Sequence, residues 1–196
     1  MHLNVLKKEF LAWTLNITKG DNVVDLNRIL RFQFWNQKFM PRKTPLTVGE
    51  SIPSFELFDQ DGQPFSSDTF KGKPLVIFFY PKDHTPGCTA QACSFRDHES
   101  EFAAVGAQVV GVNSGSVKEH KGFVEKYKLN FPVLSDPGHK VRKSFGAPGL
   151  LFNMVADRIT FVTDEQHRVA YVFKSMTKAT DHIDESLNFL QNLQTV

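Results

Sequence analysis

Three features are scarce in this 196-residue chain: cysteine, net charge and long apolar runs. Two cysteines are too few for the disulfide framework of a small secreted domain, which excludes that class. A net charge of +2 is too small to indicate nucleic acid as a partner. No apolar run reaches the length of a membrane span, so we expect no membrane segment. With 41% apolar and 22% charged residues, the chain is typical of a soluble globular protein.

The N-terminal residues 1–45 differ from the rest of the chain. Residues 1–39 contain no serine but three acidic residues, which argues against an organelle transit peptide. Apolar residues recur there at helical spacing and predict a short amphipathic helix: Leu26, Ile29, Leu30 and Phe34. The stretch "MPRKTP" (40–45) is typical of a linker, and Met40 is a hypothetical natural start. We predict an extension and linker of unknown role over 1–45 and one domain over 46–196.

From residue 46 onward, strand and helix patterns alternate. Continuous apolar runs at 74–80 and 107–113 predict two strands buried on both faces, with a helix over 86–104 between them. The next elements are a hairpin at 55–66 and a helix that begins at the capping box of Ser116 and Glu119. A short extended segment at 131–136, a short helix near 138–145, a hairpin over 158–173 and a helix from Asp181 follow. A parallel strand pair joined by a helix needs a right-handed crossover. We therefore predict an α/β domain with a thioredoxin-like fold, a central mixed β-sheet flanked by helices.

Both cysteines lie in the stretch "YPKDHTPGCTAQAC", residues 80–93. Thr85 as N-cap and Pro86 at the first helical position predict that a helix begins here. Cys88 then lies in the first turn, where free N–H groups and the helix dipole favour a thiolate. It also follows the 74–80 strand, at the sheet edge where the active groups of α/β proteins gather.

The spacing of the two cysteines restricts how they can pair. On one helix the Cα atoms of Cys88 and Cys93 are roughly 8–9 Å apart. A disulfide needs a separation below about 7 Å, so the pair cannot bond while the helix is intact. One unwound turn would bring the sulfurs together, which favours a reversible redox pair over a permanent structural bridge.

Other readings of these residues stay open on the spacing alone. Two reduced, inert, buried cysteines are as consistent with it as a redox pair is. A metal site has the right ligand types in His84, Cys88, Cys93 and His98, but the spacing does not match the usual zinc patterns. Thr85 has a simple role as a helix cap.

The motif P-x-x-x-T-x-x-C, formed by Pro81, Thr85 and Cys88 after an apolar strand, resembles the active-site motif of the peroxiredoxins. The second cysteine, five residues later, is similar to that of the peroxiredoxin Q or bacterioferritin comigratory protein subgroup. The resemblance covers roughly residues 46–194. The chain departs from the pattern at "NSGS" (113–116), where relatives often carry a Ser- or Asp-containing turn, and we expect this change to touch no catalytic position.

The resemblance implies a role for five residues. Cys88 corresponds to the peroxidatic cysteine and Cys93 to the resolving cysteine. Thr85 would exchange hydrogen bonds with the peroxide, and Pro81 would shape the pocket and shield Cys88 from water. Arg158 stands where the family has its active-site arginine, although without the resemblance it would be read as a surface charge.

The resemblance also implies an activity and its partners. We expect a thiol peroxidase that reduces hydrogen peroxide and organic hydroperoxides through an intramolecular disulfide, in antioxidant defence. Thioredoxin or a similar dithiol protein would recycle it, with no metal or other cofactor and no nucleic acid or membrane partner. We expect a monomer in the cytoplasm, with a plastid as the alternative. A thiol-disulfide oxidoreductase, whose cysteines are usually two residues apart, and a non-enzymatic redox sensor are the competing functions.

Overall fold

The computed structural model describes residues 41–147, 149–150 and 155–194 of the chain. The strands in these residues are β1 Glu56–Phe58, β2 Pro64–Ser66, β3 Leu75–Phe79, β4 Gln108–Asn113, β5 Val133–Ser135, β6 Gly149–Leu150, β7 Val155–Ala156, β8 Ile159–Thr163 and β9 Val169–Lys174. The helices are α1 Pro86–Asp97, α2 Glu99–Ala104, α3 Val117–Tyr127, α4 Lys140–Ser144 and α5 Asp181–Gln194, with a 3₁₀ turn at Ser67–Phe70. No helix in these residues is both long enough and apolar enough to cross a membrane. The amphipathic helix predicted at 26–34 lies outside the described residues.

A seven-stranded sheet forms the centre of the domain, in the order β2-β1-β5-β4-β3-β8-β9. The neighbours β3, β4 and β5 are parallel, whereas β8 is antiparallel to both β3 and β9. The antiparallel pairs β1-β2 and β8-β9 are the two hairpins that the sequence predicted. The predicted mixed sheet is therefore confirmed, with the helical crossover α1-α2 between the parallel strands β3 and β4.

The central strand β3 divides the core into two layers. All five of its residues are buried, as expected for a strand covered on both faces. Leu75, Ile77 and Phe79 pack into one layer, which also contains side chains of the β1-β2 hairpin and of α4. On the other face Val76, Phe78 and Tyr80 pack against buried side chains of α1, α3 and α5: Cys88, Phe95, Phe123, Ile183 and Leu187. The apolar run of β3 thus leads directly to Cys88 in the second layer.

The helix predicted over 86–104 is wrong in one respect, because two helices occupy this range. The backbone leaves the helical region at His98, with φ −105° and ψ 13°, so α1 ends and α2 begins there. The His98 ring nitrogen Nδ1 bonds the carbonyl of Ser94 at 2.8 Å, the group that also accepts the backbone N–H of His98. Such side-chain competition ends a helix without the glycine or proline that would signal it in the sequence.

Gly111 of β4 is paired with Phe78 of β3 in the parallel register. The Phe78 ring lies so close to Gly111 that a residue with a side chain does not fit there. A Cβ at this position would lie 2.8 Å from Phe78 Cζ. We expect Gly111→Ala to lower the free energy of unfolding by about 1–3 kcal/mol through overpacking. Gly122→Ala is the matched control, because Gly122 lies on the exposed face of α3 and its Cβ would meet nothing within 4 Å. The control should raise the free energy of unfolding by about 0.5–1 kcal/mol. Urea unfolding of both variants measures whether each change lowers or raises that free energy.

Candidate active site

Cys88 lies in the first turn of α1, as predicted. Thr85 is the N-cap residue and Pro86 occupies the first turn, so the helix begins where the sequence indicated. The Cys88 side chain is 1% exposed and packs in the same core layer as Tyr80. Cys93 is half-buried further along the same unbroken helix, and both cysteines are free thiols. The structure therefore places both sulfurs on one helix without a bond between them.

The Thr85 hydroxyl does not cap the helix, contrary to the simple reading of Thr85. It donates instead to the carbonyl of Lys82 at 3.1 Å, and α1 has no side-chain cap bond. The first-turn N–H groups beside Cys88 therefore stay available to negative charge. Because the Thr85 proton is engaged by Lys82, the hydroxyl oxygen is left as an acceptor beside the start of the helix.

Arg158 is buried next to Cys88, although the two residues are far apart in sequence. Its Nη2 lies 3.6 Å from the Cys88 sulfur. The register explains the approach: Ile159 of β8 is paired with Phe79 of β3, so residue 158 reaches the edge of the sheet where α1 begins. The side chain is 3% exposed, so this charge is shielded from water. The structure thus brings Arg158 next to Cys88, and the catalytic role of Arg158 stays a prediction.

Two residues that the sequence analysis missed hold the Arg158 guanidinium. Nη1 donates to the Gln91 side-chain oxygen, and Nε donates to the Met176 carbonyl at 3.4 Å. Gln91 follows Cys88 by three residues on α1, so helical periodicity could have placed it on the same face. Met176 lies in the loop between β9 and α5, and no sequence pattern links it to Arg158. The backbone of Gly87 also lies close to the guanidinium, because a Cβ on Gly87 would be 3.2 Å from Arg158 Nη2.

His182 supports the loop that carries Met176. Its Nε2 donates to the carbonyl of Ser175 at 3.0 Å, which leaves Nδ1 to accept the Thr160 hydroxyl at 2.8 Å. The side chain is fully buried. Burial, together with the charge of Arg158, lowers the pKa of His182 to about 4. The ring is therefore neutral at physiological pH, as this hydrogen-bond pattern requires.

A second polar cluster surrounds Asp83, in the loop between β3 and α1. Tyr80 and Asn113 donate to Asp83 Oδ1, each at 2.7 Å, and His120 Nδ1 donates to Oδ2 at 2.7 Å. Burial alone would raise the pKa of Asp83, but these bonds, led by the one from His120, hold it below its ordinary value. Asn113 begins the "NSGS" stretch. That stretch is therefore joined to the loop that carries Thr85, a link the sequence analysis did not anticipate.

The other candidate residues, Pro81 and His84, make no hydrogen bond to Cys88 in the described part of the chain. Pro81 is half-buried directly after Tyr80. His84 is exposed, with a φ of 61°, and its ring packs edge-on against Phe123. The alternative metal site has no geometric support, since no group of three or more His, Cys, Asp or Glu residues in the described part of the chain is arranged to hold a metal ion.

Comparison with known proteins gives concordant matches. The family model AhpC/TSA matches residues 48–172. The chain is 47% identical over 192 residues to peroxiredoxin Q, chloroplastic, of Populus jackii, covering 90% of each chain.

Two solved structures share the fold. Peroxidoxin BcpB of Mycobacterium tuberculosis is 38% identical, with a TM-score of 0.71 over 76% of this chain and 98% of that one. The Xanthomonas campestris bacterioferritin comigratory protein, studied for alkyl peroxide reduction activity, is 28% identical with a TM-score of 0.68, over 75% and 99% of the chains. These matches confirm the predicted thioredoxin-like fold.

The depressed pKa of His182 makes a specific prediction for acid stability. Below pH 6.5 the unfolded chain takes up a proton on this residue, whereas the native ring stays neutral down to about pH 4. Stability is therefore lost as pH falls through this window, by on the order of 3 kcal/mol from this residue. His182→Gln cannot titrate, so it should lose that much less stability than wild type between pH 7 and pH 4. Denaturant unfolding at several pH values measures the difference, and parallel curves would contradict the assignment.

Proposed function

The chain belongs to the AhpC/TSA family and, as its motif predicted, to the peroxiredoxin Q group, and we propose that its peroxidase reaction runs through Cys88 and Cys93. Its activity is the reduction of hydroperoxides, the reaction class of this family. The observation that carries the residue assignment is the 3.6 Å contact between Arg158 Nη2 and the Cys88 sulfur at the start of α1. A buried guanidinium and a helix N-terminus both stabilise a thiolate there.

The first step is attack of the Cys88 thiolate on one peroxide oxygen. The sulfur lone pair forms the S–O bond while the O–O bond breaks, and the departing oxygen leaves as water or alcohol after taking a proton. Cys88 is thereby oxidised to a sulfenic acid and the peroxide is reduced by two electrons. Sulfur chemistry supplies the whole step, so the proposal needs no metal or organic cofactor.

Thiolate formation alone is a weak source of rate in such a site. Each tenfold gain in thiolate fraction, obtained by lowering a thiol pKa, is opposed by roughly a threefold loss of intrinsic nucleophilicity. The larger effect must come from donors that stabilise the oxygen on which charge develops as the O–O bond breaks. Arg158 fits this role because Gln91 and the Met176 carbonyl already hold its guanidinium in place. Thr85, with its oxygen free to accept, would orient the proton of the peroxide.

The second step closes the disulfide within one chain. The Cys93 sulfur attacks the sulfenic sulfur of Cys88, the S–S bond forms, and the S–O bond breaks with release of water. Because α1 is intact in this structure, its first turns must unwind before the sulfurs meet. A dithiol protein of the thioredoxin class then supplies two electrons by exchange and restores both thiols.

The remaining features belong to the same proposal. Pro81, half-buried beside the site, would limit access of water to Cys88. Both cysteines belong to one chain, so catalysis requires no second subunit, and we propose a monomer. We propose 46–196 as the catalytic domain, with an extension at 1–45. The expected cytoplasmic location has no support in the plant peroxiredoxin Q relatives, such as that of Populus jackii, which are named chloroplastic, and we propose a plastid instead.

Intact mass after one equivalent of hydrogen peroxide tests the two cysteine roles. The reduced wild type should lose two hydrogens as its disulfide forms, and Cys93→Ser should gain one oxygen on Cys88. Cys88→Ser is the control and should react at the slow rate of an ordinary thiol. If wild type and Cys93→Ser keep their reduced masses over that slower period, the assignment fails. Repeated turnover with thioredoxin distinguishes a peroxidase from a redox sensor that reacts once.

Arg158→Ala separates thiolate formation from O–O cleavage. We expect the second-order rate constant with peroxide to fall by roughly 10²- to 10³-fold, because a preorganised donor is lost. The thiolate fraction of Cys88, followed by alkylation against pH, should fall far less. Arg158→Lys is the control, since it keeps the charge but lacks the planar fork that Gln91 and Met176 hold. Equal losses in peroxide rate and thiolate fraction would contradict this role.

A further inference from the structure

The side chains of the cluster around Asp83 are buried and are joined by hydrogen bonds to a carboxylate, yet the reaction described above does not use them. Four side chains form it: Tyr80, Asp83, Asn113 and His120. Each is at most 7% exposed. A buried carboxylate is costly unless donors satisfy it. Three donors satisfy Asp83: Tyr80 just after β3, Asn113 at the end of β4 and His120 in α3. We therefore asked what the position of Asp83 controls.

Asp83 lies inside the loop that delivers the catalytic groups. Two residues later comes Thr85, and the backbone carbonyl next to Asp83, that of Lys82, accepts the Thr85 hydroxyl at 3.1 Å. Between them His84 holds a φ of 61°, a conformation that residues other than glycine adopt only at a cost. A loop in this conformation needs outside contacts to keep it, and the Asp83 bonds are such contacts.

The three partners connect this loop to the rigid part of the domain. Tyr80 follows the last residue of β3 and packs in the core layer that contains Cys88. Asn113 is the last residue of β4. His120 is in the first turns of α3, which the Ser116 and Glu119 capping box starts. None of these bonds, among the described residues, reaches α1.

The His120 ring is in close contact with the "NSGS" turn at Gly115. A Cβ on Gly115 would lie 2.7 Å from His120 Cε1, so the "NSGS" turn passes directly over the ring. Gly115 also donates its backbone N–H to Asn113 Oδ1 at 2.6 Å. The turn thereby orients both Asn113 and His120 toward Asp83. The residues of this turn thus contact the Asp83 cluster.

We propose that Asp83 is a positioning residue that anchors the 81–85 loop in the peroxide-reactive arrangement while leaving α1 free to unwind. The anchor joins the loop to β3, β4 and α3, so it fixes Thr85 relative to Cys88 in the first step. Because it has no bond to α1, it does not oppose the unwinding that brings Cys93 to Cys88. This inference rests on the proposed roles of the two cysteines.

The two steps are measured separately. The first is the second-order rate constant for loss of the Cys88 thiol, in the Cys93→Ser background, by rapid quench, alkylation and mass. The second is the first-order rate of disulfide formation, with both cysteines present and peroxide saturating. A misplacement of about 1 Å can cost up to about 100-fold in rate, so we expect Asp83→Asn to slow the first step by roughly 10- to 100-fold. The second step should keep the wild-type rate or exceed it.

Tyr80→Phe is the milder second variant, in case Asp83→Asn does not fold. It removes one donor to Asp83 and should slow the first step by several-fold, again without slowing the second. The matched control is Tyr171→Phe, which removes a similar tyrosine-to-carboxylate bond, 2.6 Å to Glu185, between β9 and α5. The control should leave the ratio of the two rates at its wild-type value.

Two results would overturn the anchor. One is a first-step rate within twofold of wild type in both Asp83→Asn and Tyr80→Phe. The other is an equal slowing of both steps, which is what general destabilisation of the fold would cause. Failure of the cysteine assignment is distinguishable, because the parent Cys93→Ser protein would then form no sulfenic acid on Cys88 before any anchor variant is made.

Discussion

The contact between the Arg158 guanidinium and the Cys88 sulfur is the constraint on which the site depends. A buried cation is costly unless acceptors satisfy it, and the fold directs the Gln91 oxygen, the Met176 carbonyl and the Cys88 sulfur at the guanidinium. The acceptors come from two parts of the fold: α1 carries the sulfur and Gln91, and the loop after β9 carries Met176. The pairing of β8 with β3 brings the arginine to them. The pairing of β8 with β3, the start of α1 and the loop after β9 therefore all contribute to the position of the Arg158 guanidinium.

The proposed roles of Cys88 and Cys93 place opposite demands on α1. Peroxide reduction needs the helix intact, because its N-terminus stabilises the thiolate, whereas disulfide formation needs part of it unwound. The helix α1 suits both demands, because the side chain of its N-cap residue makes no cap hydrogen bond. The helix also ends at His98, before α2 begins. Unwinding of the first turns can stay local, since the loop before the helix is bonded elsewhere and α2 is a separate helix.

Local sequence signals predicted much of the architecture, and particular failures show their limits. The capping box of Ser116 and Glu119 marks the start of α3 correctly, because cap chemistry depends on neighbours in the chain. The break at His98 escaped prediction because a side-chain bond to Ser94, and not a glycine or proline, produces it. Gln91 was accessible from helical spacing to Cys88 but was not singled out.

The sequence by itself determined where most of the strands and helices form and which cysteine lies in the first turn of a helix, because apolar periodicity, turns and caps act over a few residues. It also carried the motif that identifies the family. Only the tertiary structure decided the surroundings of that cysteine. Arg158, Met176 and His120 lie far from Cys88 in the chain, and strand register and loop packing bring them to the site or to its loop. Long-range contacts depend on how whole elements pack, and no local pattern records them.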